Sequence, residues 1–212
     1  NFYTDALGAG WSWDDLPYTY SSERSALPVY GNYFTLQQTG SVIKTQPAYF
    51  SFNITIKDSV SKALLERELG SNKINFYPAK LPLKNQWETP FKTSAELTAK
   101  LLSDSLKKEV VPIKRILSDS AKILYSIPAD TLYKEMMQES DNFIAEQLLL
   151  TCAGVLSDSL KPEIAIRYMK KNHLMDLPDE PIWVDGSGLS RYNLFTPRSI
   201  VKLWEKIYDC VP

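Results

Sequence analysis

One histidine, His173 in the polar stretch KKNHLMD, and two cysteines, Cys152 and Cys210, are all the imidazole and thiol that the sequence holds. With a single histidine and no thiols at ligand spacing, a zinc site and a Ser-His-Asp triad are both poor readings of this sequence. His173 reads as a satisfied or solvent-facing side chain, and two cysteines do not make a disulfide framework. Net charge is scarce as well. At -1 there is no electrostatic case for nucleic acid or for an anionic membrane surface. Long apolar runs are missing: FIAEQLLLTCAGVL is interrupted by Glu146 and Gln147 and falls short of the roughly 20 residues that span a bilayer. No signal-peptide pattern is visible. The phosphate-loop pattern G-x-x-x-x-G-K-[ST] and the nucleophile elbow G-x-S-x-G are both absent, and neither K-T-G nor K-S-G occurs.

Aromatic residues are plentiful. Five Trp and twelve Tyr among 212 residues suit clefts and interfaces, and the length suffices for one large domain or two small ones with a real core. The chain changes character near Pro90. Before it, YGNYFTLQQTG and PAYFSFNITIK are aromatic and β-branched, partly alternating, and separated by Thr39-Gly40-Ser41, which predicts strands and turns. ALLERELGSNKINFYP has helical propensity in its first half. The Gly70-Ser71-Asn72 turn signal followed by alternating Ile74 and Phe76 favours a hairpin. Prolines at 78, 82 and 90 thin out regular structure.

After Pro90 the spacing predicts helices. Thr93 and Glu96 suit a capping box ahead of Leu97, Leu101 and Leu102. PADTLYKEMMQE places Leu132, Met136 and Met137 on one side. DNFIAEQLLLTCAG presents Ile144 and Leu148 and closes at Gly154. PRSIVKLWEKIY opens on Pro at a first-turn position. Between the last two, PIWVDGSGLS reads as a short strand ending in a Gly-rich turn, with Gly186 and Gly188 supplying positive φ. LSDSLK at 102–107 and 156–161, and LSDSAK at 117–122, follow no fixed period and read as capping and turn phrases.

Without a usable histidine, serine chemistry needs another base. Penicillin-recognising enzymes use lysine, with S-x-x-K, S-D-N and K-T-G converging on one cleft. Ser140-Asp141-Asn142 matches the middle motif and lies between two predicted helices, where a Ser, Asp or Asn would equally serve as a helix N-cap. S-x-x-K occurs four times, as Ser41–Lys44, Ser59–Lys62, Ser105–Lys108 and Ser199–Lys202. None has the right setting. The first two fall in strand-like sequence, the third ends a helix, and the fourth follows S-D-N. VDGSGLSRYNLFTP is more specific, and Arg191 on its loop is a permanent cation suited to a carboxylate.

MMQESDNFIAEQLLL followed about forty residues later by WVDGSGLSRYNLFTP resembles the D-alanyl-D-alanine carboxypeptidase/endopeptidase family of the penicillin-binding protein 4 type, the class C low-molecular-mass penicillin-binding proteins. GWSWDDLPYTYSSERSALPVYGN resembles that family's segment leading from the catalytic domain into its inserted β domain, and LGSNKINFYP resembles a hairpin of the insert. The resemblance runs through most of the chain and implies an α+β fold. Residues 1–90 would be a β-rich inserted or accessory domain, and 91–212 an incomplete, largely helical part of a transpeptidase-like (β-lactamase-like) domain.

The family places S-x-x-K before the WSWDD segment and K-T-G after the last helix. Together with the Met-less start at Asn1, this leads us to expect a fragment that is inactive by itself; a divergent member that has lost catalysis is the alternative. The resemblance implies a serine-type peptidase acting through an acyl-enzyme on peptidoglycan stem peptides ending in D-Ala-D-Ala, outside the cytoplasmic membrane, without a cofactor, and inhibited by β-lactams when complete. Ser140 would be the relay hydroxyl, Asn142 the ligand of the substrate carbonyl, and Asp141 would turn away and fix the loop. Asp15 and Arg191 would take the ammonium and carboxylate of a diaminopimelate side chain, with Tyr20 offering an aromatic face; the alternative is that Asp14 and Asp15 cap a turn and Arg191 lies in solvent. Trp11 and Trp13 are expected in packing rather than ligand contact. A β-lactamase-like hydrolase and a non-catalytic peptidoglycan-binding or scaffolding protein remain the rival readings. The long β-rich region argues against the first, and an S-x-x-K upstream in the gene would argue against the second.

Overall fold

A computed structural model of the chain describes residues 2, 4–80, 85–115, 122 and 124–210. Pro82, positions 117–121 of the LSDSAK phrase and the side chain of Cys210 lie outside the described residues. The chain forms two compact units: Asn1–Trp13, Arg24–Ala26 and Met136–Pro212 make one, and Asp14–Glu23 with Leu27–Glu135 make the other. The second is thus inserted, in chain order, within the first. The switch from strands to helices near Pro90 falls inside this second unit rather than at its edge.

The inserted unit is built on two three-stranded sheets. β1 (Tyr33–Thr39) and β2 (Val42–Gln46) form an antiparallel hairpin across Gly40 and Ser41, with Thr39 opposite Val42. β1 also pairs antiparallel with β6 (Asn85–Pro90), Leu36 opposite Trp87. In the other sheet β5 (Ile74–Tyr77) is central, parallel to β3 (Ile54–Ile56) and antiparallel to β4 (Leu64–Arg67). The hairpin expected in ALLERELGSNKINFYP is therefore β4–β5, with Leu64 opposite Tyr77. Alternate residues point inward, as a two-residue period requires: Phe34 and Leu36 from β1, Ile74 and Phe76 from β5. Phe50 stacks between Phe34 and Phe91, with ring centroids 4.7 and 5.0 Å away.

PAYFSFNITIK departs from the expected strand. Ala48–Asn53 wind into a 3-10 helix, and only Ile54–Ile56 pair. In a strand, Phe50 and Phe52 would share a face. The tighter turn buries Phe50 completely and leaves Phe52 90% exposed. α1 (Ala95–Leu106) closes this core with Leu97 and Leu101. Its N-cap is Ser94 rather than Thr93, with Ser94 Oγ accepting the Leu97 amide at 3.1 Å. Thr93 is engaged elsewhere, donating its amide and hydroxyl to the Glu23 carboxylate.

α2 (Ala129–Glu139) carries the chain out of this unit, with Leu132 and Met136 half-buried one turn apart and Met137 exposed. In the other unit α3 (Asn142–Leu156) and α4 (Pro162–Asn172) pack Leu149 and Ala153 against Ala165 and Ile166. α4 opens on Pro162, the usual first-turn signal, without a periodic apolar stripe to mark it in the sequence. The buried face of α3 is Glu146, Leu149, Leu150 and Ala153, while Ile144 and Leu148 are half-buried. α3 also continues past Gly154. A Cβ there would come within 2.8 Å of Leu160 Cδ2, so Gly154 permits close packing and does not end the helix. α5 (Pro197–Cys210) starts on proline as its sequence suggests. PIWVDGSGLS is not a strand: pairing shrinks to one antiparallel bridge, Ile182 with Leu194. No helix among the described residues is long and apolar enough to cross a membrane.

Candidate functional site

The S-D-N triplet is the hinge between α2 and α3. Ser140 is exposed and takes the left-handed conformation, φ 55°, which ends α2 and costs an L-residue roughly 1–2 kcal/mol. The Asp141 amide then donates back to the Met136 carbonyl at 3.0 Å. Asp141 is the N-cap of α3, its Oδ1 accepting the Ile144 amide at 2.9 Å. One residue of the three thus does the capping. Ser140 before it and half-buried Asn142 after it are left on either side of a fixed turn.

The D-G-S-G-L-S-R loop rests on the first turns of that same helix. At Gly186 a Cβ would stand 2.6 Å from the Ala145 carbonyl oxygen and 3.2 Å from Leu149 Cβ. The glycine is required by this close approach, whereas the positive φ expected at both glycines occurs only at Gly188, at 79°. Asp185, 2% exposed, holds the loop from inside. It accepts from the Gly188 amide at 2.9 Å, the Ser190 amide at 2.6 Å, Asn193 Nδ2 at 2.7 Å and Trp11 Nε1 at 2.9 Å. These bonds turn backbone amides inward that a strand would pair along its edge, which is why PIWVDGSGLS folds back on itself.

Glu146 and Arg24 complete the framework, 1% and 4% exposed. Glu146 Oε1 accepts the Ser187 amide at 2.8 Å and the Ser187 hydroxyl at 2.7 Å. Its Oε2 faces Arg24 Nη1 at 3.4 Å, and Arg24 also donates to the carbonyls of Asp5 and Leu7. The Arg24 guanidinium lies 5.7 Å from the Trp11 ring centroid. Burial pushes the Glu146 carboxyl above the usual carboxylate range. The Ser187 bonds and Arg24 pull the other way, and nearby Asp185 adds to the rise. Desolvation prevails because the pairing with Arg24 is long. Nothing in the sequence pattern singled out Glu146, Asp185 or Arg24, though the SDN…AE and DGSG phrases contain two of them.

In the other unit Tyr20 donates its hydroxyl to Asp15 Oδ1 at 3.1 Å, and Tyr18 stacks on Tyr20 with centroids 5.4 Å apart. Tyr20 is 39% exposed; partial desolvation, then the Asp15 hydrogen bond and charge, raises its phenol above the ordinary value. The structure therefore brings Asp15 and Tyr20 together. Ser140, Asn142 and Arg191 belong to the first unit. Arg191 is exposed, donates its amide to Gly10 at 3.4 Å, and its guanidinium forms no ion pair among the described residues. Trp11 packs as expected, while Trp13 is 73% exposed.

The four S-x-x-K serines lack a nucleophile's setting. Ser41 and Ser59 lie outside helices, Ser105 bonds back to Leu101 near the end of α1, and Ser199 is fully buried, bonded to the Asp179 backbone. His173 caps the C-terminus of α4 and is exposed, and Cys152 is free. Among the described residues no cluster of His, Cys, Asp or Glu could hold a metal ion.

An α+β chain whose S-D-N turn caps the helix that seats a D-G-S-G loop has the build of the penicillin-recognising class. The chain belongs to the D-Ala-D-Ala carboxypeptidase 3 (S13) family, which it matches over residues 1–210. It is 26% identical over 245 residues to D-alanyl-D-alanine carboxypeptidase DacB of Haemophilus influenzae, covering 97% of this chain and 48% of that protein. In fold it is similar to crystalline penicillin-binding protein 4 (DacB) from Haemophilus influenzae, with TM-score 0.69 at 22% identity over 98% of this chain and 52% of that one. The same protein complexed with a β-lactam gives TM-score 0.60 at 20% identity, over 90% and 49%. The chain spans about half the length of these relatives.

Proposed function

We propose that this chain is the S-D-N-bearing portion of a serine-type D-Ala-D-Ala carboxypeptidase/endopeptidase that acts on peptidoglycan peptides outside the cytoplasmic membrane. The observation that carries the reading is the S-D-N turn itself: Asp141 supplies the N-cap of α3, with Ser140, at positive φ, and Asn142 flanking it at the α2–α3 corner. Ser140 would pass a proton toward the leaving amine, and Asn142 would hydrogen-bond the carbonyl of the scissile D-Ala-D-Ala bond. The acylated serine and its lysine base come from an S-x-x-K in a suitable setting and the third motif from K-T-G, neither of which this sequence supplies. The 212 residues alone are accordingly inactive in this reading, and β-lactams acylate the complete enzyme.

Within its own unit, Arg191 would take a substrate carboxylate; separately, in the other unit, Asp15 with Tyr20 beside it would suit an ammonium. In this reading the inserted unit, Asp14–Glu23 with Leu27–Glu135, is the accessory region, and the unit of Asn1–Trp13, Arg24–Ala26 and Met136–Pro212 belongs to the transpeptidase-like part. Family membership and the DacB relative support the reaction class.

A fluorescent penicillin tests this directly. The full gene product is labelled, and Ser140→Ala slows labelling on the order of 100-fold or more, the range of a lost proton-transfer group, with the fold retained by circular dichroism. The isolated 212 residues stay unlabelled. Wild-type labelling of Ser140→Ala removes that hydroxyl from the mechanism, and labelling of the isolated chain overturns its assignment as inactive.

A further inference from the structure

Glu146 is a buried acid that the proposed chemistry leaves unused, and its position is not that of a core residue that merely tolerates a charge. It lies on α3 one turn after the capped S-D-N corner, 1% exposed. Both hydrogen bonds it receives from Ser187 come from the loop that carries Arg191. Its other oxygen faces Arg24, whose remaining donors hold the carbonyls of Asp5 and Leu7. The same loop is gripped from the N-terminal segment through Trp11 on Asp185, the Ser190 hydroxyl on the Ala9 carbonyl at 2.6 Å, and the Arg191 amide on Gly10. One carboxylate thus joins three pieces of chain: the helix bearing Ser140 and Asn142 at its start, the loop bearing Arg191, and, through Arg24, the N-terminal segment.

We infer that Glu146 is a positioning residue that sets the register of the D-G-S-G-L-S-R loop on α3, and with it the reach of Arg191 toward a substrate carboxylate relative to the Ser140 and Asn142 side chains. The physical case is geometric. Gly186 lets the loop backbone come to van der Waals distance of Ala145, but contact alone leaves the loop free to slide along the helix. Two hydrogen bonds to a single fixed oxygen remove that freedom, since a shift of about an ångström breaks both. Arg24 does the same for the carboxylate, holding it in one rotamer from the opposite side. This inference rests on the functional reading given above for Arg191, whereas the anchoring of the loop by Glu146 does not.

Two variants of the full gene product test it. Ser187→Ala removes one of the two bonds without unpairing a buried charge, and Glu146→Gln keeps an acceptor for Ser187 while removing the charge. Hydrogen exchange reads the loop: amide protection across 187–191 falls at least about tenfold in both variants, as expected for losing a hydrogen bond to an ionisable group, while the central turns of α3 keep theirs. Unchanged loop protection in Ser187→Ala overturns the anchoring. Kinetics read the register, using two D-Ala-D-Ala peptides that differ only in a side-chain carboxylate. The preference in kcat/KM for the carboxylate-bearing peptide drops about tenfold, and acylation by penicillin falls less. A proportional loss of both reactions, with the preference intact, overturns the positioning role and leaves Glu146 purely structural. A wild-type protein that penicillin does not label counts against the functional reading alone, and loop exchange still decides the anchoring.

Discussion

At the scale of single residues, two side-chain positions carry more than their types announce. Gly186 reads in sequence as a turn glycine, yet it is needed because the Ala145 carbonyl leaves no room for a Cβ. Gly186→Ala forces the loop off α3 and lowers stability by about 1–3 kcal/mol, the usual range for overpacking; a chemical denaturation midpoint within error of wild type would show that the loop yields freely. Glu146 makes a prediction in pH. Its folded carboxyl titrates above the ordinary 4.5 because of burial. The folded protein then holds this proton more tightly than the unfolded chain, so the contribution to stability is full below the ordinary value and is lost as pH rises through the raised one. Compared with Glu146→Gln, wild type therefore loses stability across the window just above pH 4.5. Denaturation of both proteins at several pH values measures it, and a parallel pair of pH profiles would contradict the burial argument.

Among the elements, the α2–α3 corner shows how one short phrase can be a cap and a candidate site at once. Its three residues divide the work: Ser140 breaks α2 with positive φ, Asp141 caps α3, and Asn142 opens that helix. Asp141→Ala should cost about 0.5–2 kcal/mol, the range for a lost N-cap, and Asp141→Asn much less. Thermal melts compare the two, and an equal loss in both would mean that the carboxylate charge, rather than its acceptor geometry, matters there. The same logic explains an element whose sequence misled. Thr93 has the residue type of a cap, but Glu23 claims its amide and hydroxyl, and the cap passes to Ser94. Helix α4 leaves little trace in the sequence since its apolar positions, Ile164 to Ile166, cluster rather than repeat, and four charged residues dilute the stripe.

For the molecule as a whole, a net charge of -1 and an isoelectric point near 6.0 leave little self-repulsion, while α5 exposes Val201, Trp204 and Tyr208. Solubility of the chain should pass through a minimum near pH 6, where repulsion vanishes; turbidity against pH checks this, and a minimum well removed from that value would point to specific association instead. By itself the sequence determined the change from strand to helix patterning, the β4–β5 hairpin, the opening of α5 on Pro197, and the pairing of S-D-N with D-G-S-G-L-S-R, because these depend on local period, turn chemistry and short spacing. Only the tertiary structure decided that Asp141 caps, that Phe50 turns inward while Phe52 turns out, and that PIWVDGSGLS curls around Asp185 instead of extending. It alone brought Arg24 to Glu146, 122 positions apart along the chain. Burial and hydrogen-bond partners at that separation are set by packing, and no local pattern of residues records them.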